Sequence, residues 1–503
     1  MNYNSENIVD LFLEAAEAYP DRLAIIEKKN DITFDQLKEE VLRTAAYFQK
    51  KGIQAGDRVL VFIPMSKDLY RVVLALFYLG ATAVFLDEWV SKKRLEVCCE
   101  LADCKGFIGV WKARVLRLFS KSLRSIPVHL SMGLPADGYT PKYKADYDHS
   151  ALITFTTGST GIPKAADRSH GFLNEQFEAL KEEMKAVPGQ IDMTTLPIVL
   201  FVNLGMGCTS VIADGKVSKP DKVNFRGLVQ QIDKEEVQRL VSSPALLEKL
   251  SLHLLEEGEE LKTVKQIFTG GAPVFPTEAR LIDRAFPDSE NSIVYGSTEA
   301  EPISSILVKD LIQADLDLGE SGLLVGIPYH KTKLRIIGIN PDPIAEMDHS
   351  AWEPFCLPEG QLGEIVVSGD HVLKRYFRNE EAFEKNKIIV DGEVWHRTGD
   401  SGMLREGKLF LMGRCAQLIE RHGRYLSPFS VEGKLKAIDG LSIGTILDLK
   451  GELVLIIEEE EGQKVRKKDL DFIAYDKLLC LSRIPRDPRH QSKIDYNALS
   501  ALV

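Results

Sequence analysis

At 503 residues the chain is too long for one hydrophobic core, so two or more domains are expected. Its 44% hydrophobic and 27% charged residues are those of an ordinary globular protein. Its net charge of -11 speaks against a general nucleic-acid or anionic-membrane binder while leaving room for a local basic pocket. The seven cysteines, Cys98, Cys99, Cys104, Cys208, Cys356, Cys415 and Cys480, follow no zinc spacing, and an odd count suits a reducing compartment better than a disulfide framework.

The N-terminal stretch "MNYNSENIVDLFLEAAEAYP" lacks a basic region followed by an apolar core, so no secretory signal is expected and a cytoplasmic location is. Within it "IVDLFLEAAEAYP" has apolar positions at helical spacing and ends at a proline. "ITFDQLKEEVLRTAAYFQKKG" keeps the same period and stops at Gly52, a plausible C-cap. "DRVLVFIP" reads as a short buried strand. The next apolar run, Val72 to Leu86, contains Gly80 and is bracketed by Arg71 and Asp87. A membrane span needs roughly 20 apolar residues, so a buried helix turning into a buried strand at Gly80 is the expected reading.

Further strand candidates, "ALITFT", "KQIFTGG" and "NSIVYGS", each run into Gly, Ser or Thr. Strands alternating with helices predict mostly parallel sheets covered by helices, and ligands in such folds sit beyond the carboxyl ends of strands. These three ends are therefore expected along one rim. After about residue 320, "KLRIIGI", "GEIVVSG" and "KLFLMG" read as antiparallel β structure. Beyond Gly413 the chain is more charged, and "GTILDLKGELVLIIEEEE" reads as a hairpin in a small α+β domain. The expected class is α/β: a large N-terminal domain, 1–412, with helix-covered mostly parallel sheets and a β subdomain, then a small mobile C-terminal lid domain, 413–503.

The chemistry concentrates first in "TFTTGSTGIPK". A Walker loop needs G-x-x-x-x-G-K-[ST], whereas Gly158, Gly161 and Lys164 give G-x-x-G-x-x-K followed by Ala165. Free backbone N–H groups, the hydroxyls of Thr156, Thr157, Ser159 and Thr160, and one ammonium still suit phosphate oxygens. Downstream stand "TGGAPV", "YGSTEAEP", "GEIVVSG", "WHRTGD", Gly413-Arg414 and Lys493, in that order.

This ordered set resembles the AMP-forming adenylating enzymes: acyl-CoA synthetases, aryl-CoA ligases, luciferases and the adenylation domains of peptide synthetases. The resemblance covers essentially the whole chain. It implies that Thr156, Thr157, Gly158, Ser159, Thr160, Gly161 and Lys164 form a loop closing over the outer phosphates of ATP. Gly270, Gly271 and Ala272 would lie against the adenine with Tyr295 stacked on it, and Gly296 and Ser297 would complete that nucleotide site. Thr298 would meet the α-phosphate, Glu299 a magnesium ion, and Asp400 and Arg414 the ribose. Lys493 would bridge substrate carboxylate and α-phosphate, making Lys493, Thr298 and Glu299 the catalytic candidates. Taken singly, Lys493 reads as a solvated side chain, Glu299 as a helix cap and Asp400 as a turn cap; the ordered set carries the assignment. His170, His396, His422 and His490 follow no metal pattern and are read as surface residues or supports behind the site.

The implied reaction is ATP- and magnesium-dependent activation of a small-molecule carboxylic acid as acyl-adenylate with release of pyrophosphate, with coenzyme A as the first candidate acceptor. The chain departs from the family at the hinge, where Ala416 and Glu420 stand in place of an aspartate and a lysine, which puts transfer to an external thiol in doubt. "TTLPIVLFVNLGMGCTSV", "YGSTEAEPIS" and "PRDPRHQSKIDYNAL" are similar to the β-lactone synthetases of bacterial olefin biosynthesis. There a β-hydroxyl would displace AMP without coenzyme A. A non-catalytic ATP- or AMP-binding relative is the third reading. The apolar "LPIVLFVNLGMG" nominates Phe201, Val202, Asn203 and Gly205 for the acid pocket and favours a hydrophobic, fatty acid. No nucleic-acid partner and no membrane span are expected, and the oligomeric state is left open.

Overall fold

The computed structural model describes residues 7–28, 30–86, 92–133, 138–156, 163–314, 316–486 and 493–503. Two large sheets organise the chain up to Arg414. The first runs, edge to edge, through Val128–His129, Gly106–Gly109, Arg58–Phe62, Thr82–Phe85, Ser150–Thr156 and Lys164–Ser169, and only the last pair is antiparallel. The helix Lys67–Tyr78 covers it. Ser66 caps that helix by accepting from the Leu69 amide, and every residue from Leu69 to Tyr78 is buried. Gly80, at φ +68, then reverses the chain into the Thr82–Phe85 strand, as the sequence implied. A Cβ there would lie 2.2 Å from the Tyr143 ring, so the position has no room for one.

The second sheet has a parallel half, with neighbours Leu23–Ile26, Thr209–Val211, Ile191–Thr194, Arg239–Ser242, Gln266–Gly270 and Glu290–Ser297. It changes sense at Ala300–Leu307 and continues antiparallel through Leu323–Pro328, Lys408–Arg414, Glu393–Arg405, Gly363–Ser368 and Lys333–Ile337. This is the expected antiparallel β portion, joined edge to edge with the parallel sheet.

The single rim expected for three strand ends is corrected. Gln266–Gly270 and Glu290–Ser297 are parallel neighbours, but "ALITFT" belongs to the other sheet. One extended segment stitches the two sheets together. Val372 bridges Ala300, the Leu373 amide donates to the Glu299 carbonyl at 2.7 Å, Tyr376 bridges Ala166, and the Phe377 amide donates to the Ala165 carbonyl at 2.8 Å.

After Arg414 the chain forms a three-stranded sheet, Leu441–Leu449, Glu452–Glu459 and Lys477–Cys480, with helices Pro428–Leu435 and Tyr496–Leu502. The first two strands are the expected hairpin. Its turn residues Lys450 (φ 56) and Gly451 (φ 89) both sit in the left-handed region that a two-residue hairpin turn of this hand requires. Ile446, Leu455 and Leu470 centre one core on one face of this sheet; Ile456, Ile484 and Leu499 centre another on the opposite face. Helix Pro428–Leu435 also leans on the large portion: Phe429 meets Phe275 at 5.0 Å between ring centres, and Lys434 pairs with Asp317 at 2.8 Å. No helix among the described residues is long and apolar enough to cross a membrane. His170 and His396 are buried.

Candidate active site

The site forms where the carboxyl end of Glu290–Ser297 meets the long strand Glu393–Arg405. Gly270 lies against the neighbouring backbone: a Cβ there would come within 2.5 Å of the Val294 carbonyl oxygen, so only glycine allows the two parallel strands this register. Gly271 follows at φ +82 with open space around it, leaving a flat, uncovered rim beside Ala272.

Across this rim three side chains converge. The Tyr295 hydroxyl donates to Asp400 Oδ2 at 2.7 Å, and Arg414 Nη1 pairs with Asp400 Oδ1 at 3.1 Å. Asp400 and Arg414 are cross-strand partners, which fixes that pair by register. Arg414 also donates to the Thr398 carbonyl, while the Thr398 hydroxyl accepts from the Asp400 amide. Burial, reinforced by the Asp400 carboxylate, raises the Tyr295 phenol well above its ordinary value, so it stays a donor. Asp400 raises the Arg414 guanidinium further still. A carboxylate has about four acceptor directions, so Asp400 can keep both partners and still take hydroxyls from a vicinal diol.

A second cluster sits behind the first. Glu299 Oε1 accepts from the Tyr376 hydroxyl at 3.2 Å, and the Glu299 amide is held by Ser297 Oγ at 3.2 Å. Lys164 lies 6.0 Å from the centre of the Tyr376 ring and donates to Asn386 Oδ1 at 2.6 Å. Lys387, almost wholly buried, lies 5.4 Å from the same ring and donates to the Leu373 carbonyl. Burial lowers Lys387 to about 7 although Glu299 pulls it upward, and burial likewise lowers Lys164. His396 accompanies them, held neutral first by burial and then by Lys387. Arg168 donates to the Thr298 carbonyl at 3.1 Å, fixing the turn that presents Thr298 and Glu299.

No three of His, Cys, Asp and Glu among the described residues converge into a metal cage. A magnesium ion needs no such cage, because one or two carboxylates plus phosphate oxygens suffice, and Glu299 is a single hard-oxygen donor within electrostatic reach of Lys164. The residues present fit that ion.

The structure thus brings Tyr295, Gly296, Ser297, Thr298, Glu299, Asp400, Arg414, Lys164 and the Gly270–Ala272 turn to one region. Thr157, Gly158, Ser159, Thr160 and Gly161 lie outside the described residues; Thr156 ends its strand next to them. Lys493 stands one residue before Ile494, which bridges Arg486 and packs in the core of the small sheet. Phe201 and Val202, on helix Pro197–Met206, do line an apolar cavity, together with Leu74, Phe77, Leu173 and Phe177. The cavity is narrow, about 40 Å³.

Asn203 and Gly205 do not line it. Asn203 points into a buried polar network with Asp192, Ser210 and Arg239, and Gly205 is where Phe177 and Leu11 press on the helix. Sequence reasoning missed Tyr376 and Lys387. Tyr376 is 77 positions from Glu299, and no spacing rule links them.

The sequence profile of the AMP-binding enzyme family matches residues 12–377. An olefin beta-lactone synthetase of Stenotrophomonas maltophilia is 29% identical over 472 residues, 87% of this chain and 84% of that one. An olefin beta-lactone synthetase of Xanthomonas campestris pv. campestris is 30% identical over 401 residues, 75% of this chain and 70% of that one. Among solved structures, the O-succinylbenzoate coenzyme A synthetase of Bacillus subtilis in complex with AMP superposes with a TM-score of 0.80 at 20% identity, covering 97% of each chain.

Proposed function

The chain belongs to the AMP-binding enzyme family of adenylate-forming acid ligases, and from that premise we propose that it activates an apolar hydroxy acid as its acyl-adenylate. The observation that carries this reading is the convergence of Tyr295, Asp400 and Arg414 on an open rim, directly in front of Glu299 and Lys164. That order, a diol acceptor and then a cationic, carboxylate-bearing floor, fits a nucleotide laid from ribose to phosphates.

In the proposed step the acid's carboxylate oxygen forms a bond to the α-phosphorus while the bond from that phosphorus to the bridging oxygen breaks, and pyrophosphate leaves. Two anions must approach, so catalysis here is chiefly positioning and charge neutralisation. Asp400 and Arg414 orient the ribose, and Tyr295 stacks on the adenine. Lys164 meets the outgoing phosphates, and Lys493 spans carboxylate and α-phosphate. A magnesium ion at Glu299 would supply further neutralisation of the phosphates. Lys387 and Tyr376 hold Glu299 in place from behind.

The apolar cavity supports a hydrophobic chain. Gln176, the one polar side chain among the described lining residues, is buried with its carbonyl oxygen unpartnered, an acceptor suited to a hydroxyl on the acid. For the fate of the acyl group, ring closure by the substrate's own β-hydroxyl is favoured over transfer to coenzyme A. The two olefin beta-lactone synthetases are similar over most of the chain, and Ala416 replaces the hinge aspartate on which thiol-accepting relatives rely.

The test is to supply ATP, magnesium and a panel of 3-hydroxy and unsubstituted fatty acids, with and without coenzyme A, and to weigh the products. A product one water lighter than the hydroxy acid, formed without coenzyme A, supports the reading. A thioester transfers the function to the ligase alternative, and no AMP from any acid overturns both.

A further inference from the structure

Helix Trp111–Phe119 leaves most of its apolar side chains uncovered. Ala113 is its one buried residue, while Trp111 is 70% exposed, Leu118 64% and Phe119 66%, and Val115 and Leu116 are exposed as well. Folded chains bury such side chains unless the surface has a partner. The arrangement is ordered. At 3.6 residues per turn, Leu118, Trp111, Val115 and Phe119 fall within an arc of roughly 100°. Lys112 and Arg114 flank that arc on either side, and Ala113 faces the body of the protein.

Charge singles out the same place. Residues 104–136 contain Lys105, Lys112, Arg114, Arg117, Lys121 and Arg124 and no aspartate or glutamate, in a chain whose net charge is -11. Glu96, on helix Lys92–Ala102, is turned to the start of Lys121–Ser125, where it accepts from the Lys121 and Ser122 amides at 3.2 and 2.9 Å. Lys112, Arg114, Lys121 and Arg124 all remain exposed.

We propose that this helix docks the enzyme on an anionic lipid bilayer, with Trp111, Val115, Leu118 and Phe119 entering the headgroup boundary and the flanking cations meeting lipid phosphates. An apolar stripe with an aromatic residue, edged by Lys and Arg on both sides, is the pattern of a helix lying in the membrane plane. The general exclusion of anionic membranes drawn from net charge therefore does not extend to this local surface. Topology gives the docking a direction. Strands Arg58–Phe62, Thr82–Phe85, Gly106–Gly109 and Ser150–Thr156 are parallel, so their carboxyl ends share one edge of the sheet. The helix starts just beyond Gly109, on the same edge from which the phosphate-loop segment leaves after Thr156.

The test uses the full chain and vesicles of equimolar phosphatidylcholine and phosphatidylglycerol, against vesicles of phosphatidylcholine alone, by co-sedimentation and tryptophan emission. Binding to the mixed vesicles only, weakening as salt rises, is expected. The other tryptophans are Trp89, Trp352 and Trp395, and the last two are buried, so in a Trp89→Phe background a blue shift on binding should disappear once Trp111→Phe is added. Neutralising Lys112, Arg114 and Lys121 together to Gln should weaken binding roughly 100-fold, about five-fold per cation. Leu118→Glu with Phe119→Glu should weaken it at least about tenfold. Both variants should keep wild-type adenylation of a short water-soluble acid, which checks that they fold. Absent binding to mixed vesicles, or equal binding by the variants, overturns the proposal. So does self-association that the Leu118 and Phe119 variant abolishes while vesicles are ignored, which would make this face a contact between copies of the chain.

Discussion

Replacing Asp192 by alanine should destabilise the protein by about 3–5 kcal/mol, the cost of stranding a buried charge. Asp192 and Arg239 are both fully buried, with Arg239 Nε 2.6 Å from Asp192 Oδ2. Arg239 also donates to Asn203 Oδ1 at 2.6 Å and Gln190 Oε1 at 2.7 Å, while the Asn203 amide donates to Asp192 Oδ1 at 2.9 Å and Ser210 Oγ at 3.0 Å. Without Asp192 the guanidinium keeps its other partners but loses its counter-charge where no water reaches, and the Asn203 amide loses one acceptor, which adds about 1–3 kcal/mol if nothing replaces it. Asp192→Leu combined with Arg239→Met should cost much less than the two single changes summed, because it removes both charges together. The network ties helix Pro197–Met206 to the sheet, and Phe201 and Val202 on that helix line the apolar cavity. Surviving Asp192→Ala enzyme should therefore show a raised KM for the acid with little change for ATP. Denaturant unfolding of the four proteins, followed by circular dichroism, gives the cycle, and pyrophosphate release gives KM. A single-mutant loss under about 1 kcal/mol, or strict additivity in the double mutant, would refute the argument.

The proposed role of Lys493 predicts that Lys493→Ala lowers pyrophosphate release on the order of 10²–10³-fold while ATP still binds, as for other transition-state charge partners; undiminished release removes it from the mechanism. Glu299→Gln keeps an acceptor for Tyr376 but loses the charge, so the magnesium concentration giving half-maximal rate should rise at least about tenfold. An unchanged magnesium titration would move the metal elsewhere. Burial, with His149 beside it, lowers the His170 imidazole from 6.5 to about 3. Between those values the unfolded chain binds a proton that the folded chain refuses, so stability falls as pH drops from 6.5 towards 3. His170→Phe should flatten that fall in thermal melts across the window, and an unaltered slope would assign the acid sensitivity to other groups.

Local chemistry in the sequence announced most of the elements. The Gly80 turn, the Lys450-Gly451 hairpin and the apolar strands each follow from a short-range rule, because the residues concerned are neighbours in the chain. That Gly270, Tyr295 and Asp400 belong to one region was legible for a related reason: they sit in motifs whose order alone carried information. What stayed hidden depended on distant pairings. Asn203 lies in an apolar run and reads as pocket lining until its partners Asp192 and Arg239 are seen. Lys387 belongs to none of the recognised motifs, and only the fold buries it beside Tyr376 and within electrostatic reach of Glu299. The expected single rim failed because sheet membership is decided by strands far apart in sequence.

The segment that stitches the two sheets also dates the site within the life of the chain. Glu299 receives its backbone support from Leu373 and its side-chain support from Tyr376, and Asp400, the proposed ribose acceptor, comes later still. A nascent polypeptide that has delivered its first three hundred residues holds much of both sheets yet lacks part of the proposed nucleotide site. ATP cannot serve as a scaffold for that early half, so its edges must remain safe from aggregation until the seam arrives.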